Sequence, residues 1–488
     1  MTWTPLLRCL QGSVLLSLAA CTHTAPTDAV SPLLSDARMA PVQARMATGG
    51  AYEERAWWND VGGPVLDKLV MAGLQSSTDV RIALTRVQEA RAGLQANEAL
   101  LAPSVTANAG YLNKRSGLPA PVKQGLPDTR MGQVSIGLDW DIDVFGRNRA
   151  LASAAQHDVQ ASEAGVAGAR LMLIGEVTRQ YVLNQGASRR LALLDELMAK
   201  QEKILAINGH RFDEGESSIL AVTEANAQLA QMRAQRHGLL TLQAVTCSHL
   251  ARLTGLFPDE VRQMLAAERA RASSMSLPPS APAGQPVELL GRRPDIMAAK
   301  ATWQAEYGRL DSAKADKLPR FFLSLLTGRE DLRLNGMDLA PVGFHQTSLL
   351  FALPLFNAGR IDAGIKAQSA QAQRAELRYE QAVRQAVDDV ESALSDLEQA
   401  RARTSELARA AQERQQAAQR GAHLLREGQI ALLDALQLEQ AYLSASLGQA
   451  ESLEALQLSH IQAQVALGGG WRAATASAEA IDQKGAQP

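Results

Sequence analysis

Apolar and polar residues alternate along four stretches of the chain. The clearest is 133–145, where the apolar residues take every second position: Val134, Ile136, Leu138, Trp140, Ile142 and Val144. Alternation over a dozen residues predicts a β-strand with one apolar face. The other face carries polar residues, including Asp139, Asp141 and Asp143. Weaker alternation predicts three further strands at 103–112, 320–328 and 344–356.

The longest stretches between these strands have a helical period and contain no proline. They predict long helices over 146–208 and 359–425, each followed by a shorter return helix, at 217–254 and 430–467. In the second long helix the apolar residues are spaced 4-3-4-3, which is a coiled-coil seam: Val383, Val387, Val390, Leu394 and Leu397. At 1.5 Å per residue, each long helix is a rod of roughly 90 Å. Shorter helices are expected within 62–100 and 286–317.

The chain contains an internal duplication. Gly146, Glu176, Gly215 and Gly255 recur 213 residues later as Gly359, Asp389, Gly428 and Gly468. A repeat of this length is an architecture of two similar halves and not a short solenoid unit. The predicted organisation is therefore a first repeat over 61–284, a second repeat over 285–471 and a flexible tail over 472–488.

The N-terminus reads as a processing signal. Residues 1–20 contain a short apolar run that ends in Leu18-Ala19-Ala20-Cys21 and resembles a bacterial lipobox, in which the cysteine is acylated. We expect a covalent lipid on Cys21, no other cofactor, and a linker over 21–60. Thr22 follows the cysteine where an Asp would retain a lipoprotein at the inner membrane, so sorting to the outer membrane is expected. The alternative is an ordinary signal peptide with an incidental cysteine.

The overall charge gives no indication of nucleic-acid binding. The formal net charge is −2 and aromatic residues make up only 4% of the chain. Nucleic-acid-binding proteins usually carry a basic patch, and this sequence has none. The low aromatic content favours long helices over an ordinary globular core.

The predicted strands have the length of membrane-spanning strands, since about ten tilted residues cross a bilayer. Four strands cannot close a barrel, because the smallest known barrels have about eight. Unpaired strand edges cannot remain in lipid. The sequence therefore leaves two possibilities: a soluble sheet, or a barrel to which several chains contribute strands. Three chains would supply twelve.

Five motifs between about 55 and 471 together point to one family. They are Trp57-Trp58 with Leu66-Asp67, the run 141–147 (DIDVFGR), the run 289–296 (LLGRRPDI), the run 353–360 (LPLFNAGR) and the run 466–471 (ALGGGW). In these motifs the chain resembles a TolC-type outer membrane factor of the NodT lipoprotein branch, which serves resistance-nodulation-division efflux systems.

The resemblance implies a mainly α fold with a small transmembrane β part. It implies a homotrimer with a 12-stranded β-barrel in the outer membrane, in contact with its lipid, above a 12-helix periplasmic α-barrel. It also implies two partners, a periplasmic adaptor protein and an inner-membrane pump. The function expected from the family is that of a passive exit duct for small molecules.

The family also suggests where the functional residues lie. The turns between long and return helices form the periplasmic tip, which is expected to contact the adaptor through Arg211, Glu214, Gly215, Arg426, Glu427 and Gly428. Acidic residues after the second glycine ring the closed aperture in the family, so Asp434 is the gate candidate, with Leu432 and Leu433 as an apolar constriction. Gln437 and Ala221 stand where other members carry acids. The alternative for Asp434 is a solvated helix residue.

Other functions have less support in the sequence. No phosphate loop, metal-binding spacing or nucleophile motif is present, so no enzymatic activity is expected. A lipid-anchored coiled-coil scaffold would explain the helices but not the amphipathic strands. The same fold could also serve type I protein secretion.

Overall fold

The computed structural model describes residues 56–115, 117, 119, 128–269, 291–334 and 337–469. The signal sequence, Cys21, most of the predicted linker and the predicted tail lie outside the described residues. The predictions for these segments are therefore not tested by the fold.

The first repeat contains five helices and two strands. A short 3-10 helix, Trp57–Asp60, precedes helix α1. The remaining elements are α1 (Pro64–Ser76), α2 (Thr78–Ala99), β1 (Ser104–Lys114), β2 (Thr129–Ile142), α3 (Arg147–Asp213), α4 (Ile219–Thr254) and α5 (Pro258–Arg269). With 67 residues, α3 is about 100 Å long. The amphipathic α5 was not predicted from the sequence.

The second repeat follows the same order. Its elements are α6 (Pro294–Ala315), β3 (Arg320–Leu334), β4 (Met337–Asp338), β5 (Val342–Ala352), α7 (Arg360–Arg426) and α8 (Leu432–Ala466). Helix α7 also has 67 residues, so the two long helices are of equal length. This equality confirms the duplication that the glycine spacing predicts.

The strands form one antiparallel sheet in the order β1, β2, β3, β5. The two-residue β4 pairs with the far end of β3 beside β5. All four helix junctions lie at the same end of the sheet, and the hairpin connections lie at the opposite end. We call these the helix end and the distal end. Within the described residues, the outer edges of β1 and β5 pair with no other strand.

Glycine starts both long helices at the helix end of the sheet. Gly146 and Gly359 have φ of 78° and 80°, a left-handed conformation that only glycine adopts without steric cost. Neither glycine has a side chain to cap its helix, so another residue does it. In the first repeat the Asp143 carboxylate accepts hydrogen bonds from the backbone N–H groups of Asn148 (3.1 Å) and Arg149 (2.9 Å).

The predicted strand limits need correction. Strand 133–145 was expected to include Asp143 on its polar face, but β2 ends at Ile142 because Asp143 caps α3. Strand 344–356 ends at Ala352, before Pro354, which has no N–H for the ladder. At the distal end all the strands extend beyond the alternating pattern, since backbone pairing continues where both faces are polar.

The core follows the predicted apolar stripes. Ile174 and Val177 on α3 are fully buried in a cluster with α1, α4 and α5. The seam of α7 packs on α8, where Val390 and Leu456 are fully buried. Cys247 is buried too, and its thiol donates to the Pro258 carbonyl at 3.4 Å. It is a core residue, as the sequence predicts.

Candidate functional site

The two faces of the sheet differ in polarity. The outward face presents exposed apolar side chains, among them Val105 (65% exposed), Val134 (63%) and Leu349 (68%). The inward face is polar: Asp139 accepts a 2.6 Å hydrogen bond from Ser324, and Asp141 pairs with Arg320. An apolar outside and a polar inside are the arrangement of a membrane barrel around a water-filled lumen.

Aromatic residues mark both ends of the outward face. At the helix end, Phe321 lies 6.5 Å from Phe145 and 5.4 Å from Phe351, measured between ring centroids. At the distal end, Tyr111 is 73% exposed. About ten residues separate these levels, which is about 33 Å along a strand and about 25 Å along the membrane normal for a tilted strand. This height matches the apolar band of outer-membrane barrels.

The two open edges make the single sheet incomplete. Each free strand edge exposes unpaired backbone N–H and C=O groups, and each such group costs several kcal/mol in lipid. A sheet with this apolar outward face can therefore enter a membrane only if β1 and β5 pair with other strands. The geometry favours the multichain barrel over the soluble sheet.

At the other end of the long helices, both repeats reverse direction through the same turn. Gly215 and Gly428 have φ of 77° and 73°. In the first turn the N–H of Gly215 donates to Phe212 and that of Glu216 to Arg211. In the second, the N–H of Gly428 donates to Leu425 and that of Gln429 to Leu424. Both turns are Schellman motifs, which require a left-handed residue after the helix.

The predicted tip residues lie at these two turns and are exposed, but their ion pairs differ from expectation. Glu214 pairs with His210 at 3.2 Å, and Glu427 pairs with His423 at 3.1 Å. Arg211 lies 3.9 Å from Glu216. Arg426 donates to the backbone carbonyl of Ala422 at 3.2 Å.

Each tip therefore carries a histidine–glutamate pair at equivalent positions. The histidines are also separated by 213 residues, so the repeat contained a signal for this pair that the sequence analysis did not use.

The gate candidate has a structural role at the start of α8. The Asp434 carboxylate accepts a hydrogen bond from the backbone N–H of Ala431 at 3.3 Å. In the first repeat the equivalent of Ala431 is Ser218, whose hydroxyl caps α4 by accepting from Leu220. Alanine has no such acceptor, so Asp434 supplies the capping interaction from three residues further on. The side chain of Asp434 is exposed, as is Leu432, whereas Leu433 is half-buried.

Two long-range contacts that the sequence did not reveal hold the helical body together. The indole N–H of Trp57 donates to the Gly469 carbonyl at 3.0 Å, which joins the two ends of the described chain. The buried guanidinium of Arg293 pairs with Asp389 of α7 at 2.9 Å and donates to the Ala466 carbonyl of α8 at 3.1 Å. Both residues belong to motifs that the sequence analysis noted, but their partners lie far away in sequence.

A buried carboxylate lies midway along the helices. Glu454 of α8 lies 3.1 Å from Arg190 of α3. Burial raises the pKa of Glu454 above its usual range, and Arg190 only partly opposes that shift. The folded chain consequently holds a proton on Glu454 more readily than the unfolded chain does.

Glu454→Gln should therefore flatten the pH dependence of stability. An acid whose folded-state pKa is raised contributes stability that is present below its unfolded pKa, near 4.5, and is lost as pH rises toward the folded value. The thermal midpoint of the variant, followed by circular dichroism across this range, should fall less with pH than that of the wild type. Glu451→Gln, at a mostly exposed partner of Arg190, is the control. Parallel profiles for wild type and Glu454→Gln would contradict the assignment.

The remaining features concern other kinds of site. Among the described residues, no helix is long and apolar enough to cross a membrane. The same residues contain no group of three His, Cys, Asp or Glu side chains placed to hold a metal ion.

An amphipathic sheet with open edges, attached to two helical hairpins of about 100 Å, defines a subunit of an outer-membrane channel. Solved structures agree: the structure entitled "Structural insights of the outer-membrane channel OprN" superposes with a TM-score of 0.77 at 27% identity, over 87% of this chain and 94% of that one. The mainly α fold with a small β part is thereby confirmed as the fold of these channels.

The family is also shown by sequence. The model of the family described as "Outer membrane efflux protein" matches residues 69–256 and 286–480, and the chain belongs to this family. The "Probable outer membrane lipoprotein SilC" of Salmonella typhimurium is 24% identical over 95% of this chain and 99% of its own length. The "Pyoverdine export outer membrane protein OpmQ" of Pseudomonas putida is 29% identical over 94% and 96%. The chain is an outer-membrane efflux protein.

Proposed function

We propose that three copies of the chain form one continuous conduit, a 12-stranded β-barrel joined to a 12-helix periplasmic barrel. The observation that carries this proposal is the pair of open edges on an outwardly apolar sheet. Three sheets can close on each other by pairing β1 of one copy with β5 of the next, which satisfies every edge. The polar face with Asp139 and Asp141 then lines the lumen.

The conduit is the passive exit duct of a tripartite efflux pump for small molecules. The relative OpmQ is named for the export of pyoverdine, a small molecule, which supports this cargo class over protein secretion. A scaffold function is not favoured, because the matched relatives and structures are outer-membrane channels. The exposed turns at Gly215 and Gly428 are the surfaces that contact the periplasmic adaptor, and the inner-membrane pump supplies the energy.

Conductance in planar bilayers tests the duct. The purified full-length protein should insert and give discrete, voltage-driven single-channel steps in salt solution. Deletion of the gene should raise the sensitivity of the cell to toxic small molecules, and plasmid-borne wild type should restore resistance. A purified complex that never conducts, together with unchanged sensitivity of the deletion strain, would contradict the proposed function.

The gate prediction rests on charge at Asp434. Three such carboxylates around a threefold axis would repel one another and attract cations, as carboxylate rings do in other channels. Asp434→Ala should raise single-channel conductance several-fold by removing this ring. Because Asp434 also caps α8, Asp434→Asn is the informative companion: it removes the charge and keeps an oxygen acceptor for the Ala431 N–H.

Glu216→Ala, at the exposed tip of the first repeat, is the matched control and should leave conductance near that of the wild type. If both changes at Asp434 raise conductance, the charge acts at the gate. If neither does, Asp434 is only a helix cap. If Asp434→Ala alone does, the cap and not the charge holds the aperture closed, which contradicts a charge gate.

Lipidation of Cys21 is part of the same proposal, and the printed name of the relative SilC as a lipoprotein supports it. Cys21→Ser should prevent acylation, so intact-mass measurement of the purified protein should show no added acyl chains. The conduit should still form, because strand pairing and not the lipid closes the barrel. A wild-type protein without acyl mass would contradict the lipobox.

A further inference from the structure

The distal end of the outward face carries charge where the band below it is apolar. Arg130 of β2 lies directly opposite Arg333 of β3 in the strand register. Arg329 lies four residues before Arg333 on the same face of β3. These side chains sit at the level of Tyr111 and above, beyond the apolar rungs formed by Val134 and its neighbours.

A groove opens on this face between β1, β2 and β3. Its volume is about 460 Å³, and we call it the distal groove: Ala109, Tyr111, Gly132, Val134, Arg329 and Asp331. Gly132 creates the opening, because a Cβ built there would meet no atom within 4 Å. Its floor and one wall are apolar or aromatic, while Arg329 and Asp331 form the polar wall.

The arginines of this region are not balanced by carboxylates. Arg333 pairs with Asp338. Arg130 and Arg329 form no ion pair with any residue in the part of the chain that the structure describes. Like charges directly opposite each other on neighbouring strands destabilise a sheet, so Arg130 facing Arg333 favours an anion between or above them. Arginine suits phosphate in particular, since its planar fork binds two oxygens at once.

We propose that the distal groove binds a phosphorylated lipid of the outer membrane. The inference rests on the proposed function, because it requires the outward face to lie in the bilayer with the distal end at its outer surface. The phosphate lies at Arg329 and Arg130, and an acyl chain descends along Tyr111, Gly132 and Val134. Asp331 lies two residues from Arg329 and limits the site to one phosphate by repelling further negative charge.

The test is lipid binding to the full-length complex in a neutral detergent, measured by native mass spectrometry. The two probes are phosphatidic acid and a diacylglycerol with the same acyl chains, which differ only in the phosphate. The wild type should bind phosphatidic acid in preference to diacylglycerol. Arg329→Gln should weaken this binding about 5-fold, and the double change with Arg130→Gln about 30-fold, if each arginine contributes about 1 kcal/mol.

The matched control is Lys114→Gln. Lys114 lies at the same level on β1 but on the inward face, in register with Thr129, so its loss should change binding less than twofold, well below the effect of one facing arginine. Equal binding of the two lipids, or variants that bind like the wild type, would overturn the site. Displacement of the lipid by an equal concentration of inorganic phosphate would overturn it as well, since the groove would then not require the acyl chain.

The same samples separate this inference from the proposed function. Complexes that remain trimeric and conduct ions but show no phosphate preference refute only the lipid site. Complexes that are not trimeric refute the conduit and, with it, the membrane position of the groove.

Discussion

Arg293→Ala is expected to lower the stability of the helical body by about 3–5 kcal/mol, the usual cost of removing one partner from a buried ion pair. The guanidinium joins three helices: it caps the start of α6, pairs with Asp389 of α7 and donates to the Ala466 carbonyl at the end of α8. Without it, Asp389 loses its ionic partner and the backbone carbonyl loses a donor. The helical circular dichroism signal in detergent should be lost at clearly lower temperature and denaturant concentration.

Two further variants define the cause. Arg293→Lys keeps the charge but cannot reach all three helices with one ammonium group, so its stability should lie between those of wild type and Arg293→Ala. Arg384→Ala removes an exposed arginine of α7 that pairs with Glu380 at 3.6 Å, and such surface pairs contribute at most about 1 kcal/mol. Equal losses for Arg384→Ala and Arg293→Ala would contradict the role of Arg293 as the junction of these helices.

Trp57→Ala should have an effect of similar size, about 3–5 kcal/mol, as is typical when a buried tryptophan is truncated. Trp57 is 1% exposed and packs in the cluster that joins the start of the chain to α3 and α4. Its N–H also holds the Gly469 carbonyl. The substitution should therefore loosen both ends, and protease cleavage near either end should accelerate together with thermal unfolding.

The control for Trp57 is an aromatic residue without this environment. Phe257 is 76% exposed, and Phe257→Ala should change stability by less than about 0.5 kcal/mol. Trp57→Phe retains most of the apolar contact but not the N–H donor, so it isolates the hydrogen bond to Gly469. Protection of the C-terminal end that is the same in Trp57→Phe and wild type would contradict the stitching role of that bond.

Much of the fold was predictable because the periodicities are long. Alternation at 133–145 and the seam from Val383 to Leu397 each extend over enough residues to distinguish strand from helix. The 213-residue repeat then allowed each half to support the other. Strand ends were less predictable: Asp143 continues the polar alternation of β2, yet its carboxylate has a stronger use at the start of α3.

The site was predictable in position and not in detail. Gly215 and Gly428 mark the turns because a left-handed residue is required there, but the partners of Glu214 and Glu427 depend on side-chain geometry. The difference between the halves also has a physical reason. Where Ser218 caps α4 in the first repeat, Ala431 cannot cap α8, and Asp434 takes that position instead of Ala221. Contacts such as Trp57 with Gly469, 412 residues apart, have no local signal at all.

The number of chains in the purified complex tests the conduit most directly. Four strands per chain with two open edges require other copies for closure, and three copies give the twelve strands of the proposed barrel. Native mass spectrometry of the full-length protein, extracted from outer membranes in mild detergent, should show a complex of three chains that survives dilution, with and without the Cys21→Ser change. A stable monomer or dimer that carries folded helices would contradict the trimeric conduit.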